Sequence, residues 1–313
     1  MSSKLLPQAT LNQSHLFSVY FAPRGYVRMA QMGMQMAHRH MTPFDRLIGI
    51  IGEAGSGKSL FIKGMFPGLE LTNDDDGVNV RPLPILSLDE EEGFYSPHTY
   101  HLDIRFEAAF TQMHVLADAI KRAVEMGRRV VVEHFDLIYP FLDMNAELLI
   151  GIGEEIVVTR PSFFGPEPKD IADIVFPSVR YRRMAHTAED LAERFMWKNG
   201  QDEYLHSDVH HGFILEFAEK PDIDLEELEQ YVKRKIERDL PVSYVDDHHI
   251  RLGDKLHQCT GPRMHVTSTG QIENFRVIKE IKQDPISGRY LVVGLVGMEG
   301  YVNLKDLNSI HMM

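Results

Sequence analysis

The sequence predicts an α/β protein in which a parallel β-sheet carries helices on both faces and is followed by a smaller α+β domain. From residue 47 onward, short apolar runs alternate with segments whose apolar residues recur at helical spacing, as in strand–helix–strand units. A glycine-rich stretch at 52–57 joins the first of these strands to a helix. In the last third of the chain the strand candidates are separated by turn residues, which favours antiparallel pairing. We therefore divide the chain into an N-terminal extension (1–45), an α/β domain (46–180) and an α+β domain (181–313).

The individual elements follow from local patterns. In the extension, 16–21 is a candidate strand and the methionine-rich 29–36 a candidate helix. The α/β domain is predicted to contain, in order, a strand at 47–51, a helix starting at 60, a strand at 83–88, a helix at 106–126, and strands at 130–132 and 155–159. The α+β domain is predicted to contain a helix at 188–197, a strand at 212–217, a helix at 225–238 capped by Asp224, and strands at 241–245, 275–281 and 290–296.

The most informative motif is G-x-x-x-x-G-K-S at 52–59, which lies between an apolar run and a helix-compatible segment. Its glycines let the backbone wrap closely around a phosphate, with N–H groups and the dipole of the following helix directed at the anion. Lys58 would then reach the β- and γ-phosphates, and the Ser59 hydroxyl would bind Mg²⁺. The motif predicts a P-loop NTPase fold that binds ATP or another nucleoside triphosphate. The residues expected to contact the nucleotide are Gly52, Glu53, Ala54, Gly55, Ser56, Gly57, Lys58, Ser59 and Leu60.

Composition restricts the class of protein. The chain is 43% hydrophobic and 25% charged, as in globular domains, and contains no apolar run of about 18 residues that would span a membrane. Its single cysteine, Cys259, and an N-terminus without the apolar core of a signal peptide lead us to expect a cytoplasmic protein. The net charge is −13, with an acidic excess in both halves, so that binding of tRNA is not supported by charge. The sequence leaves open whether the chain forms a homo-oligomer.

Three segments downstream of the glycine-rich stretch carry acidic residues: 89–95 reads DEEEGFY, 101–107 reads HLDIRFE and 129–136 reads RVVVEHFD. With these segments, residues 45–140 resemble the uridine kinase and phosphoribulokinase group of P-loop kinases. The resemblance implies that Asp89 or Glu92 deprotonates the acceptor hydroxyl, and the residues do not distinguish between them. Glu133, at the end of a β-branched run, is the candidate for the carboxylate that supports Mg²⁺.

The last third of the chain resembles a different family. Residues 186–191 read HTAEDL and 259–272 read CTGPRMHVTSTGQI, which is similar over about 184–282 to the second additional domain of threonyl- and alanyl-tRNA synthetases, shared with freestanding editing proteins. That family binds Zn²⁺ through two histidines four residues apart and a Cys–His pair four residues apart. Two interpretations remain open, a zinc site formed by a bulged loop and, as the favoured one, a degenerate domain that has lost hydrolysis. The positions that would bind zinc are His186, Asp190, Cys259 and His265.

Together these patterns predict an ATP-dependent, uridine-kinase-like phosphotransferase that phosphorylates a hydroxyl of a nucleoside or another small molecule. The catalytic set is Lys58, Glu133 and either Asp89 or Glu92, with Ser59 and Glu133 on Mg²⁺. The editing-like domain would recognise the acceptor or regulate the kinase. The alternative hypothesis is a zinc-dependent aminoacyl-tRNA deacylase whose nucleotide-binding domain is regulatory.

Overall fold

A computed structural model of the chain describes residues 17–71, 84–87, 99–297 and 307–308. The described residues form two compact units. The first contains the residues up to Tyr20 together with Met29–Pro177, and the second contains Phe21–Arg28 and the residues from Ser178 onward. The chain therefore contributes eight residues to the second unit before it builds most of the first.

The first unit is built on a six-stranded mixed sheet whose strand order is β1-β6-β5-β2-β4-β3. The prediction of a mixed α/β architecture is confirmed, but the prediction of an all-parallel sheet is wrong. β2, β3, β4 and β5 are parallel, whereas β6 is antiparallel to β5 because only two residues connect them, which is a hairpin connection. The strands are β1 (Ser18–Phe21), β2 (Leu47–Gly52), β3 (Thr99–Asp103), β4 (Arg129–Glu133), β5 (Leu148–Ile152) and β6 (Glu155–Thr159).

The helices of the first unit differ from the predicted ones in two places. The predicted helix at 106–126 is two helices, because Asp103 caps a single short turn and the backbone is extended at Gln112 before the second helix starts. The described part of the predicted strand at 83–88 is a 3₁₀ helix, Pro84–Ser87, which starts at a residue that has no N–H to donate to a sheet. The helices are α1 (Tyr26–His40), α2 (Lys58–Met65), α3 (Ile104–Glu107), α4 (Met113–Glu125), α5 (Phe135–Ile138) and the first part of α6 (Pro168–Lys198).

The centre of the sheet is covered on both faces. All six residues of β2 are buried, as expected for a parallel strand between two layers. At Gly49 an added Cβ would lie 2.6 Å from the ring of Phe135, so the helix after β4 packs directly on the strand backbone. This close packing holds the carboxyl ends of β2 and β4 next to each other.

Helices α1 and α2 cross at two glycines. A Cβ at Gly33 would overlap the carbonyl of Phe61, and a Cβ at Gly64 would overlap the carbonyl of Ala30. The two backbones are therefore in direct contact, and each glycine faces a backbone atom of the other helix, which cannot rotate away. The methionine-rich α1 supports the helix that starts at Lys58.

We expect Gly64→Val to destabilise the first unit by about 2–3 kcal/mol, because the new side chain meets backbone and the two helices must separate. The measurement is the midpoint of thermal unfolding followed by circular dichroism. Lys63→Val is the control, since it introduces the same β-branched side chain one residue earlier in α2. Equal midpoints for the two variants would contradict this account of the crossing.

The second unit is α+β, as predicted. It contains a five-stranded sheet in which β12, β14, β8 and β7 follow one another and β13 also pairs with β14, and a three-stranded antiparallel sheet of β11, β10 and β9. The predicted helix at 188–197 is the last part of α6, and the predicted strand at 275–281 is reduced to Arg276–Val277. The remaining elements are β7 (Leu205–Val209), β8 (Gly212–Phe217), α7 (Leu225–Glu237), β9 (Val242–Asp246), β10 (His249–Leu252), β11 (Lys255–Gln258), β12 (Arg276–Val277), β13 (Lys282–Gln283) and β14 (Tyr290–Leu295).

Helix α7 is tied to β12 through one carboxylate. Glu229 accepts hydrogen bonds from the backbone N–H of Val277 at 2.7 Å and from the ammonium group of Lys233 at 2.6 Å, and pairs with Lys279 at 2.8 Å. Burial alone would raise the pKa of Glu229, but the lysines and the backbone N–H outweigh it and lower the pKa to about 2. Asp224 caps the helix as predicted, accepting from the N–H groups of Glu226 and Glu227.

We expect Glu229→Gln to reduce stability at neutral pH and to lose this effect in acid. A folded-state pKa below the unfolded value of about 4.3 gives stability that is present above the unfolded pKa and is lost as the pH falls towards about 2. Urea midpoints at several pH values, read from the fluorescence of Trp197, should approach each other for wild type and variant below about pH 4 and meet only at about pH 2. The exposed Glu237→Gln should show no such convergence; a constant difference for Glu229→Gln would contradict the assignment.

Candidate functional site

The glycine-rich loop lies between the end of β2 and the first turn of α2. Gly55 and Gly57 have φ angles of 78° and 92°, in the left-handed region that favours glycine. At Gly52 an added Cβ would lie 2.8 Å from the carbonyl oxygen of Ile152. The sequence therefore needs glycine at all three positions to form this turn, which leads directly into the N-terminus of an eight-residue helix.

The first turn of α2 brings two predicted site residues against the end of β4. The Ser59 hydroxyl lies 3.1 Å from Oε1 of Glu133, and Nζ of Lys58 lies 3.8 Å from Oε2 of the same carboxylate. Lys58 also donates to the carbonyl oxygen of Glu53, at 2.9 Å across the loop. The structure thus places Lys58, Ser59 and Glu133 together, whereas Asp89 and Glu92 lie outside the described residues.

The charges of this cluster depend on each other. Burial would raise the pKa of Glu133, but hydrogen bonds from His101 and Ser59 and the charge of Lys58 outweigh it, so the pKa of this carboxyl lies below its ordinary value. Burial lowers the pKa of Lys58, and the charges of Glu133 and Asp103 partly restore it. The ammonium group and the carboxylate therefore each favour the charged form of the other.

Three further residues belong to this cluster, and the sequence analysis gave none of them a role: His101, Asp103 and His134. His101 lies 3.2 Å from Oε1 of Glu133, and ligand atoms of Asp103, Glu133 and His134 all lie within 4.8 Å of one another. Burial raises the pKa of Asp103, and the neighbouring Glu133 raises it further. Burial and the charge of Lys58 lower the pKa of His134 to about 4, so its imidazole is neutral at pH 7. Asp103 and Glu133 are paired in the register of β3 and β4, which is why they meet.

The donors of this arrangement could hold a divalent metal ion and an anion. The hydroxyl of Ser59 and the carboxylate of Glu133 are hard oxygen donors of the kind that Mg²⁺ prefers, and two such ligands are typical when phosphates supply the rest. Lys58 offers a cation next to the loop N–H groups. Asp103 offers a second buried carboxylate with a raised pKa, which suits a proton acceptor.

A second buried cluster lies in the second unit, on one face of α6. His186, Glu189, Asp190 and Glu193 are spaced so that all four side chains lie on the same side of the helix, and all four are buried. Opposite them, His265 lies 2.7 Å from Asp190, and His206 lies 2.8 Å from Glu189. Three carboxylates are therefore buried close together.

The cation of this cluster comes from the start of the chain. Arg24 is 2% exposed, and its guanidinium lies 2.6 Å from Glu189 and in contact with Asp190. It also reaches Glu193 at 3.8 Å and donates to the sulfur of Cys259 at 3.2 Å. No local pattern in the sequence marks Arg24, since its partners are about 165 to 235 residues away.

The four predicted zinc ligands do not all converge. Ligand atoms of Asp190, Cys259 and His265 lie within 4.8 Å of one another, with Sγ of Cys259 3.6 Å from Nε2 of His265. His186 is outside this group, and its ring centre is 6.4 Å from that of His265. Arg24 contacts two of the three group members, so the donor set is already satisfied by a cation of the chain itself and does not fit a bound zinc ion.

No protein-family model matches the sequence, and no curated protein matches it. Among solved structures, the chain is similar to one described as "Crystal structure of Bacillus subtilus YdiB", with 20% identity and a TM-score of 0.27 over 46% of this chain and 86% of that chain. At that TM-score the likeness identifies neither a fold nor a function. None of the helices within the described residues combines the length and apolar character needed to cross a membrane.

Proposed function

We propose that the first unit is a P-loop phosphotransferase that moves the γ-phosphoryl group of ATP to a hydroxyl of a small acceptor such as a nucleoside. The observation that carries this proposal is the convergence of Lys58 and Ser59, from the glycine-rich loop and α2, on Glu133 at the end of β4. A P-loop nucleotide site already needs the loop, the lysine and a carboxylate that holds Mg²⁺ together with the serine hydroxyl. What supports transfer to an acceptor is the second buried carboxylate, Asp103, which lies beside Glu133 and can accept a proton.

In this proposal each residue has a separate task. The loop N–H groups and Lys58 hold the β- and γ-phosphates, and Ser59 and Glu133 hold Mg²⁺. When bound, the metal neutralises charge on the transferred group. His101 orients Glu133 through its hydrogen bond of 3.2 Å.

The proton of the acceptor hydroxyl needs a base. Within the described residues Asp103 is the carboxylate best placed for this, because it is buried beside Glu133 and its pKa is raised. As the acceptor oxygen forms its bond to the γ-phosphorus, the bond to ADP breaks and the proton passes to Asp103. Asp89 and Glu92 remain the alternatives predicted from the sequence, and Asp103→Asn, Asp89→Asn and Glu92→Gln compared side by side will distinguish them.

The test is formation of ADP from MgATP in the presence of nucleosides, sugars and hydroxylated amino acids, each added separately. We expect one class to stimulate ADP formation, and Glu133→Gln to reduce the stimulated rate about tenfold to a hundredfold by weakening the hold on Mg²⁺. Glu155→Gln, on the antiparallel strand β6 of the same sheet, is the matched control. Wild-type rates in the Glu133→Gln variant would exclude the proposed site.

A further inference from the structure

The buried carboxylates of α6 have no role in the proposed phosphoryl transfer. Glu189, Asp190 and Glu193 are all buried, and buried carboxylates require a cation or a metal close to them. Within the described residues of the second unit, three groups of side chains that share members have ligand atoms within 4.8 Å of one another, as in a metal site. Every group contains at least one carboxylate that Arg24 contacts. The groups are Asp190–Cys259–His265, Glu189–Glu193–His206 and Asp190–Glu193–His257.

The guanidinium of Arg24 lies among the donor atoms of the Asp190–Cys259–His265 group. One nitrogen of Arg24, Nη2, is 3.2 Å from Sγ of Cys259 and also forms the ion pair with Oδ1 of Asp190. A zinc ion bound to both would lie about 2.0–2.3 Å from each donor, so it would compete with that nitrogen for the same two donor atoms. A metal ion and the guanidinium therefore cannot occupy this place together.

The segment that carries Arg24 is fixed in the second unit on both sides. Arg182 donates to the carbonyl oxygen of Pro23 at 3.1 Å, and Arg28 pairs with Asp208 at 2.7 Å. Between them, Gly25 has a φ of 86° and approaches Thr260 so closely that an added Cβ would lie 3.2 Å from it. The backbone around Arg24 is thus held against the loop that contains Cys259.

We propose that Arg24 is a built-in cation that fills a metal-competent pocket, so that this unit binds no zinc at Asp190, Cys259 and His265 unless the guanidinium is removed. A guanidinium does not lose its proton at any ordinary pH, so the pocket cannot be vacated by titration. A divalent ion brought next to it would also be repelled, more strongly in a buried site than in water. It follows that any chemistry of this unit proceeds without a metal in that pocket, which removes the basis for the zinc-dependent deacylase.

The test is a gain of metal binding on loss of a cation. Purified wild type, Arg24→Ala and Arg24→Gln are equilibrated with Zn²⁺ against a chromophoric chelator, and bound zinc is counted per chain. We expect Arg24→Ala and Arg24→Gln to bind about one zinc ion at least about a hundredfold more tightly than wild type, because the ligands are retained and the competing charge is gone. The gain should disappear in Arg24→Ala combined with Cys259→Ala.

Two controls keep the result specific. Arg24→Lys retains a cation and should stay as weak a zinc binder as wild type, and Arg28→Ala removes a guanidinium from the same segment without entering the pocket. Arg24→Gln retains much of the side-chain volume, so that it reports on the pocket if the alanine variant unfolds. The proposal is overturned if wild type binds one zinc that Cys259→Ala abolishes, or if neither neutral variant gains zinc.

Discussion

Replacing Lys58 by alanine is expected to lower the rate of acceptor-stimulated ADP formation by about a hundredfold to a thousandfold, the effect of removing one fixed charge from a transferring phosphoryl group. The side chain is 6% exposed and is held next to the loop by its hydrogen bond to Glu53 and its ion pair with Glu133. The measurement is the steady-state rate with saturating acceptor.

Lys63→Ala is the matched control. Lys63 lies in the last turn of the same helix, and its replacement removes the same charge from α2. Its rate should stay close to that of wild type. If Lys58→Ala retained the wild-type rate while still binding MgATP, the loop would be a nucleotide site without a part in phosphoryl transfer.

Arg24→Ala is expected to destabilise the second unit by about 3–5 kcal/mol, because it leaves buried carboxylates without their cation. Arg24 is 2% exposed, and its guanidinium forms ion pairs with Glu189 and Asp190. The chain contains a single tryptophan, Trp197, whose ring is stacked on His257 at 5.0 Å, so its fluorescence reports on this unit. The midpoint of urea unfolding should fall accordingly.

Arg28→Ala is the control for this loss. It breaks the ion pair with Asp208 in the same segment, but the Arg28 side chain is 36% exposed, so we expect at most about 1 kcal/mol. Added Zn²⁺ should raise the urea midpoint of Arg24→Ala and leave that of wild type unchanged. Equal midpoints for Arg24→Ala and Arg28→Ala would mean that the carboxylates of α6 do not depend on Arg24.

The glycine-rich loop could be predicted from the sequence because its requirements are local. The positive φ angles at Gly55 and Gly57 and the start of α2 at Lys58 all depend on neighbouring residues. Glu133 could also be predicted, since a carboxylate at the end of a β-branched strand is visible in the sequence. The strand at 155–159 was predicted and is confirmed, but its antiparallel direction was not predicted. Strand direction depends on which strands pair, and β5 was not recognised as a strand.

The remaining site residues depend on long-range packing. Asp103 lies beside Glu133 only because β3 and β4 pair in register. In the sequence, Asp103 can be recognised as the residue that caps α3, but this does not show that Glu133 is its neighbour. Arg24 reaches Glu189 across 165 residues of sequence. A pattern of i, i+3, i+4 and i+7 in α6 could have indicated the buried carboxylate face, but nothing local shows that an arginine from the start of the chain supplies its cation.

The most direct test of the phosphotransferase follows the γ-phosphate of labelled MgATP in a single turnover with the stimulating acceptor. The account predicts that the label appears on an acceptor hydroxyl in wild type and that its transfer is lost in Lys58→Ala. Label recovered only as inorganic phosphate or left on ATP, with every acceptor class supplied, would contradict phosphoryl transfer as the function of this site.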